Sequence, residues 1–133
     1  MKVFVSHVGK DEALARGVAQ ALRGEKLEVW LPSEQIYPGD NWAEKISRAL
    51  QECEAMVALL TPGALRGGNI KLDMGFALAS KQYRQRLIPV LVGDAPVEDM
   101  PWILKNFHYV RWDPRDGIES LAREIAGALL AAA

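Results

Sequence analysis

Lys2–Ser6 reads KVFVS, and this run of β-branched and aromatic residues near the start of the chain decides the fold. A short continuous apolar run is typical of a central parallel strand that is buried on both faces. Gly9 and the charged residues after it end the strand, and apolar residues then recur at helical spacing from Asp11 to Arg23. Gly24 is expected to stop this helix. The chain therefore opens with a strand followed by a helix.

The same alternation continues along the chain. Further strands are expected at Leu27–Leu31, Ala55–Leu60, Arg86–Val92 and His108–Trp112. Further helices are expected after a cap at Asp40 or Asn41, from Asn69 to about Gln82, and over Ile118–Leu130. Strands alternating with helices predict a parallel sheet covered by helices on both faces. Right-handed crossovers between five strands suit the strand order 2-1-3-4-5, so we expect a flavodoxin-like α/β three-layer sandwich.

Four places along the chain are expected to be irregular. Thr61–Gly68 contains three glycines and a proline and is interpreted as a loop without regular structure. Pro89 removes one donor from the fourth strand, which puts that position near a sheet edge or at a strand irregularity. The segment 94–106 is interrupted by Pro96 and Pro101, with one helical turn between them, and the tail 131–133 is expected to fray.

The core face of the second main helix is expected to carry four side chains. They are Trp42, Ile46, Ala49 and Leu50. Trp42 and Trp30 are interpreted as aromatic residues of the core or as loop anchors, with base-stacking platforms as the alternative.

Composition limits the class of protein. The 133 residues suit one domain, 1–133, and the net charge of −1 indicates neither a nucleic-acid nor a membrane partner. Cys53, the single cysteine, forms no intramolecular disulfide and is interpreted as a buried, unreactive thiol. No signal peptide is recognised and the apolar runs are far shorter than the ~20 residues of a membrane-spanning helix. We therefore expect a soluble cytoplasmic domain.

The position of a binding site follows from this topology. Ligands of open α/β sheets bind beyond the carboxyl ends of the strands, at the point where the strand order reverses. Here that point lies between the first and third strands, so the loops Ser6–Gly9, Pro32–Asn41 and Thr61–Asn69 should meet there. No glycine-rich dinucleotide motif and no Walker lysine follows the first strand. His7 and His108 lack metal-spaced partners, so no metal site is predicted.

Asp73 is the carboxylate of greatest interest. It lies one helical turn after Asn69, at the start of the helix that leaves the glycine-rich loop. A carboxylate there could orient a sugar hydroxyl or stabilise positive charge on a ribose. The alternative is an exposed first-turn aspartate that interacts with the helix dipole.

Five motifs in order resemble a bacterial TIR (Toll/interleukin-1 receptor) domain over nearly the whole chain. Val3–His7 with Asp11 resembles the opening F-[IV]-S-[YH]…D box of that family. The other four are Val29–Leu31 with Ile36–Trp42, which resembles the second strand and the BB loop after it, then Ile46–Leu50, Leu59–Pro62 and Arg86–Val92. The resemblance implies a flavodoxin-like fold.

The resemblance also implies an activity. Many bacterial TIR domains cleave the nicotinamide–ribose bond of NAD+, some cyclise the remaining ADP-ribose, and they act in nucleotide signalling or antiviral defence. The catalytic residue of these domains is a glutamate of the third helix, in a W-x-x-x-E motif. Asp73 stands at that position and Asn69 replaces the tryptophan. Aspartate keeps the charge but is one methylene shorter, and a misplacement of ~1 Å can lower a rate on the order of 100-fold.

The residue roles implied by the resemblance are as follows. Ser6 and His7 would line the ribose–phosphate side, Trp42 would shape the BB-loop wall, and Thr61 and Asn69 would complete the substrate contacts. NAD+ would be a substrate, with no cofactor and no metal. TIR domains of this kind commonly self-associate, so the loop Ile36, Tyr37, Pro38, Gly39 and Asp40 is the expected interaction segment. The alternative is a non-catalytic module that makes TIR–TIR contacts in signal transduction.

Overall fold

The computed structural model describes residues 1–66, 83, 86–100, 104 and 107–132 of the chain. Within these residues the strands are β1 (Lys2–Ser6), β2 (Glu28–Trp30), β3 (Ala55–Leu60), β4 (Leu87–Val92) and β5 (Val110–Trp112). The helices are α1 (Glu12–Gly24), α2 (Pro32–Gln35), α3 (Trp42–Glu52), α4 (Pro62–Arg66) and α5 (Ile118–Ala132). Single 3₁₀ turns lie at Gly9–Asp11, Val97–Asp99 and Pro114–Asp116. The predicted helix from Asn69 to Gln82 lies outside the described residues.

The five strands form one parallel sheet in the order β2-β1-β3-β4-β5. β1 pairs with β2 on one side, where Val3 is opposite Val29, and with β3 on the other, where Val5 is opposite Val57. The predicted fold class and strand order are confirmed. β1 and β3 begin and end where predicted, while β2, β4 and β5 are shorter than predicted by one or two residues at their ends.

Two hydrophobic cores lie on opposite faces of the sheet. One core packs α1 and α5 against the strand residues Val3, Val5, Val57 and Val90, which are at most 1 % exposed. The other core joins Phe4, Met56 and Leu60 to the residues under α3 and α4. Successive residues of a strand point to opposite faces, so strands buried on both faces read as continuous apolar runs. This is why KVFVS and AMVALL were recognisable as central strands.

The helix α1 ends in a Schellman motif that uses a lysine rather than the expected glycine. Gly24 is still helical, and Lys26 adopts a positive φ of 67°. The Leu27 amide donates to the Leu22 carbonyl at 3.2 Å and the Lys26 amide donates to the Arg23 carbonyl at 3.0 Å. The helix does end at Gly24 as predicted, but the left-handed residue after it is Lys26 rather than the glycine.

The loop predicted at Thr61–Gly68 contains a helix, so that prediction was wrong for Pro62–Arg66. The hydroxyl of Thr61 accepts the amide of Ala64 at 3.1 Å, which caps the new helix α4. Pro62 is its first residue, where the missing N–H costs nothing. Ala64 and Leu65 are buried in the second core, which stabilises this short helix.

Pro89 occupies a position in β4 where its missing donor is tolerated. The Met56 amide donates to the Arg86 carbonyl. The backbone N–H and C=O groups of Arg86 and Ile88 therefore point towards β3, and those of the alternate residues point towards β5. The nitrogen of Pro89 therefore points towards β5, whose ladder with β4 begins only at Val90. β4 lies next to the edge strand β5, and Pro89 comes just before the residues of β4 that pair with β5.

The packing of α3 corrects one predicted core residue. Ala49 and Leu50 are buried and Ile46 packs partly against the second core, but Trp42 is 63 % exposed. The prediction of Trp42 on the core face was wrong, because Trp42 is the first residue of the helix and lies beyond the edge of the core. Trp30 does pack inside, with its ring stacked on Phe4 at a centroid distance of 5.2 Å.

The remaining predictions concern the thiol and the end of the chain. Cys53 is 1 % exposed, and burial raises the pKa of its thiol to about 11, which agrees with an unreactive core cysteine. Ala131 and Ala132 continue α5 instead of fraying. One helical turn does lie between Pro96 and Pro101. No helix among the described residues has the length and apolarity to cross a membrane.

Candidate functional site

The carboxyl ends of β1 and β3 lie side by side at one edge of the sheet. Ser6 at the end of β1 is opposite Ala58, and β3 continues for two residues beyond it. The segments that leave these strands start at His7 and Thr61, and they diverge to opposite faces of the sheet with α1 and α4. The order of the strands reverses at this point, as predicted, so a cleft between the two segments is the expected ligand position.

Ser6 lies inside the sheet rather than on its surface. Its exposed fraction is 1 %, and it is the one buried polar or charged residue among those the structure describes. The alternation along β1 directs its side chain to the same face as Phe4, towards the core under α3 and α4. Ser6 therefore lies beneath the predicted site, at the buried end of β1.

His7 is the first residue beyond β1 and is half-buried. Its Nδ1 atom is buried and has no hydrogen-bond partner among the residues that the structure describes. Most buried polar atoms in proteins are hydrogen-bonded, so a ring nitrogen without such a bond at a strand end has the capacity for one further hydrogen bond if the side chain turns outwards. His7 is accordingly the predicted substrate-binding residue with a buried ring nitrogen that could make a further hydrogen bond.

Thr61 and Asp11 connect the two segments that leave β1 and β3. The hydroxyl of Thr61 donates to the Asp11 carboxylate at 2.7 Å, across 50 residues of sequence. Asp11 stands at the cap position of α1 but its side chain makes no capping hydrogen bond there. Its carboxylate instead links the two segments by accepting the hydrogen bond from Thr61. The Thr61 hydroxyl is thus bonded to Asp11 and also to the Ala64 amide of α4.

The predicted interaction segment, Ile36–Asp40, forms a tight turn. The Asp40 amide donates to the Tyr37 carbonyl at 3.0 Å, and Gly39 has a φ of +90°. Proline followed by glycine with positive φ is the pattern of a type II turn. The Asp40 carboxylate accepts the Tyr37 amide at 2.8 Å, which closes the turn a second time.

Lys45 of α3 reaches back to this turn. Its ammonium group donates to the Asp40 carboxylate at 2.7 Å and to the Gln35 carbonyl at 3.0 Å, and it lies 5.5 Å from the centre of the Tyr37 ring. The hydrogen bond from Lys45, together with that from the Tyr37 amide, lowers the pKa of Asp40. We refer to Gln35, Tyr37, Asp40 and Lys45 as the loop clamp.

A second ion pair fixes the helix that precedes the turn. Arg23 of α1 makes a two-point contact with Glu34 of α2, one bond of which measures 3.2 Å, and it also donates to the Val29 carbonyl at 3.3 Å. The hydrogen bond between the two side chains raises the pKa of Arg23 and lowers that of Glu34. The entry to the interaction segment is therefore attached to α1.

Two large aromatic side chains remain exposed beside the turn. Tyr37 is 64 % exposed and Trp42 is 63 % exposed, although the bonds of Asp40 to the Tyr37 amide and to Lys45 fix the backbone around them. Asn41, between them in sequence, caps α3 by accepting the Glu44 amide at 3.2 Å. Of the two caps considered from the sequence, Asn41 is the one used. Exposed aromatics on an ordered backbone are typical of interaction surfaces.

Asn69 and Asp73 lie outside the described residues, so the predicted catalytic residue stays a prediction. Among the described residues, no three His, Cys, Asp or Glu side chains are grouped as metal ligands would be. The sequence interpretation missed two functional positions, Asp11 as a partner of Thr61 and Lys45 as a partner of Asp40. Asp11 belongs to the quoted opening box, which is a signal that could have singled it out. Lys45 carries no comparable signal.

The comparisons with known proteins agree with this architecture. The family model for the TIR domain matches residues 3–126. The chain therefore belongs to the TIR domain family. No curated protein sequence matches it.

Solved structures with the same fold come from several sources. A metazoan TIR-STING receptor from C. gigas, solved in complex with 2′,3′-cGAMP, has a TM-score of 0.80 at 20 % identity, over 96 % of this chain. This chain spans only 38 % of that receptor. The TIR domain of the Toll-related receptor TRR-2 from Hydra magnipapillata has a TM-score of 0.66 at 20 % identity, over 92 % of this chain and 96 % of that one. A prokaryotic SEFIR domain has a TM-score of 0.73 at 16 % identity, over 96 % and 91 % of the two chains.

Proposed function

We propose that this TIR domain cleaves the bond between nicotinamide and ribose in NAD+. The observation that carries the proposal is the sheet edge where β1 and β3 end. It combines the expected ligand position with a buried nitrogen of His7 that has no partner within the described part of the chain. The family match over residues 3–126 supports it, since the same sequence region carries Asp73 where the resemblance implies the catalytic acid. His7, Trp42, Thr61 and Asn69 are proposed as substrate-binding residues, and Ser6, also predicted from the sequence to bind substrate, is buried beneath them and is proposed to support them.

The proposed reaction needs one carboxylate and no metal. The bond from C1′ of the ribose to the nicotinamide nitrogen breaks, and its electron pair neutralises the cationic ring of the leaving group. The sugar carbon becomes oxocarbenium-like, and a negatively charged Asp73 close to the ribose would stabilise that charge. Water then forms a new bond to C1′ and releases a proton, which gives ADP-ribose. Attack by a nitrogen of the adenine instead would give a cyclic product.

The test is nicotinamide release from NAD+ by the concentrated protein, measured by liquid chromatography. Asp73→Ala is expected to lower the rate at least ~100-fold, the order expected for loss of a group that stabilises the transition state. Asp99→Ala removes an exposed carboxylate from the 3₁₀ turn Val97–Asp99 and serves as the matched control. Asp73→Glu restores the missing methylene and should retain or raise the rate. Release that is unaffected by Asp73→Ala would exclude Asp73 as the catalytic residue.

The second candidate is a non-catalytic TIR–TIR interaction module, and the exposure of Tyr37 and Trp42 favours it. Sedimentation at increasing concentration would measure self-association of the wild type and of a variant with both aromatics changed to serine. Tyr109→Ser, at an exposed aromatic before β5, is the control. Association that depends on Tyr37 and Trp42, without nicotinamide release from the assembled protein, would support this candidate over the enzyme. For either candidate, nucleotide signalling or antiviral defence in the cytoplasm is the proposed setting.

A further inference from the structure

The loop clamp places one positive charge at the centre of the interaction segment. The Lys45 ammonium contacts the Gln35 carbonyl, at the entry to the segment, and the Asp40 carboxylate, at its exit. The Tyr37 ring lies between these two points in sequence and faces the same ammonium group. One side chain of α3 thereby joins both ends of the turn.

The other hydrogen bonds of the turn are local. The Ile36 amide bonds to the Pro32 carbonyl, and the Asp40 amide and carboxylate bond to Tyr37. Among the hydrogen bonds and ion pairs between described residues, the bond of the Ile36 amide connects residues 36–40 to Pro32 of α2, and only the bonds of Lys45 connect them to α3. Local bonds keep the shape of a turn, but they do not determine its position relative to the rest of the protein. The position of the turn relative to α3 therefore depends on Lys45.

The clamp is charged at neutral pH. The pKa of the Asp40 carboxyl is lowered by Lys45 and by the Tyr37 amide, so the carboxylate stays ionised well below neutrality. An ionised acceptor makes both of its hydrogen bonds stronger than those of a neutral side chain. Lys45 and Asp40 are each partly exposed, so solvent can replace their contact once the turn moves away.

We propose that Lys45 is the positioning residue of the interaction segment: it holds the turn of residues 36–40 against α3 so that Tyr37 and Trp42 are presented together. The inference extends the proposed interaction surface, on which its functional consequence rests. Loss of the ammonium group frees the turn from α3 and leaves the local hydrogen bonds of Tyr37 and Asp40 without its support, so these bonds open more often. Tyr37 then moves independently of Trp42, and a partner has to order the segment on binding, which weakens association.

Amide hydrogen exchange of the dilute protein tests the inference. In Lys45→Met the Tyr37 and Asp40 amides are expected to exchange about tenfold faster, the order expected when one charge-assisted network no longer limits local opening. Lys45→Arg keeps the charge and should stay within about threefold of the wild type. The melting temperature of Lys45→Met should change by less than about 3 °C, because the partly exposed pair lies outside both cores.

Arg48→Met is the matched control. Arg48 lies on the same helix and pairs with Glu44 at 3.2 Å, without contact to the turn. Equal exchange rates in Lys45→Met and Arg48→Met would overturn the inference. So would faster exchange throughout the protein, because that would mean general destabilisation. Exchange is measured on isolated molecules without NAD+, so a wild type that neither associates nor releases nicotinamide would refute the proposed function separately.

Discussion

Replacing Thr61 with valine should destabilise the protein by about 2 kcal/mol. The substitution exchanges a hydroxyl for a methyl group of similar size, so it removes hydrogen bonds with little change in packing. Two bonds are lost, the one donated to the Asp11 carboxylate at 2.7 Å and the one accepted from the Ala64 amide at 3.1 Å. A hydrogen bond to a charged group contributes about 1.5–3 kcal/mol and a helix cap about 1 kcal/mol. Both sites are only half-buried, and water recovers part of each.

Urea denaturation of a double-mutant cycle would separate the two contributions. Thr61→Val, Asp11→Ala and the double variant should show a coupling of about 1 kcal/mol for the bond between the segments, with the remainder belonging to the cap. Thr61→Ser keeps the hydroxyl and should cost less than half as much as Thr61→Val. A coupling below about 0.3 kcal/mol would refute the reasoning, because the Asp11–Thr61 contact would then contribute nothing that solvent does not supply.

The cores and the end of α1 give four more testable expectations. Tyr83→Phe removes the hydrogen bond from the buried hydroxyl to the Leu50 carbonyl, so the free energy of unfolding measured in urea should fall by about 1–2 kcal/mol. Cys53 should react with a thiol reagent at pH 8 about 100-fold more slowly than an unfolded cysteine, because its pKa is raised from 9.0 to about 11. For the same reason stability should decline as the pH rises from 9 to 11, since the unfolded thiol loses its proton first. Lys26→Gly should raise the melting temperature by a few degrees, because the positive φ at this position costs a lysine about 1 kcal/mol and a glycine almost nothing. Glu25→Gly, at a φ of −92°, should lower the melting temperature.

The strands were predictable because a strand buried on both faces has a continuous apolar sequence. Val3, Val5 and Val57 belong to one core while Phe4 and Met56 belong to the other, so every buried position of β1 and β3 has to be apolar or small. The pattern is local, and no knowledge of the tertiary structure is needed to recognise it. The strand order followed from connection rules that hold for any right-handed α/β sheet.

Element ends and short helices were less predictable, because tertiary contacts override local preferences there. Glycines around α4 favour a loop, but Thr61 and Pro62 start a helix that the second core then stabilises. Threonine followed by proline is a signal for the start of a helix, and at Thr61–Pro62 it predicts α4. At the end of α1 the left-handed position falls on Lys26 because the contacts of Leu22 and Leu27 set the length of the helix.

The candidate site was predictable in location but not in its contacts. The switch of strand order identifies the edge where Ser6, His7 and Thr61 lie, and any sequence with this topology would have led there. The bond between Thr61 and Asp11 joins residues 50 positions apart, and the bonds of Lys45 depend on how closely α3 approaches the turn. Pairings of this kind depend on distances that no single-sequence periodicity contains.

The edges of the sheet affect how the molecule can associate. The outermost strands, β2 and β5, have three residues each, so each exposes only a short row of free backbone donors and acceptors to another chain. Short edge strands are poor templates for strand addition, which is the usual route to uncontrolled aggregation of sheet proteins. Ordered assembly of this domain is therefore favoured through side chains on its helices and turns. Such contacts can be made and broken without changing the hydrogen bonds of the sheet.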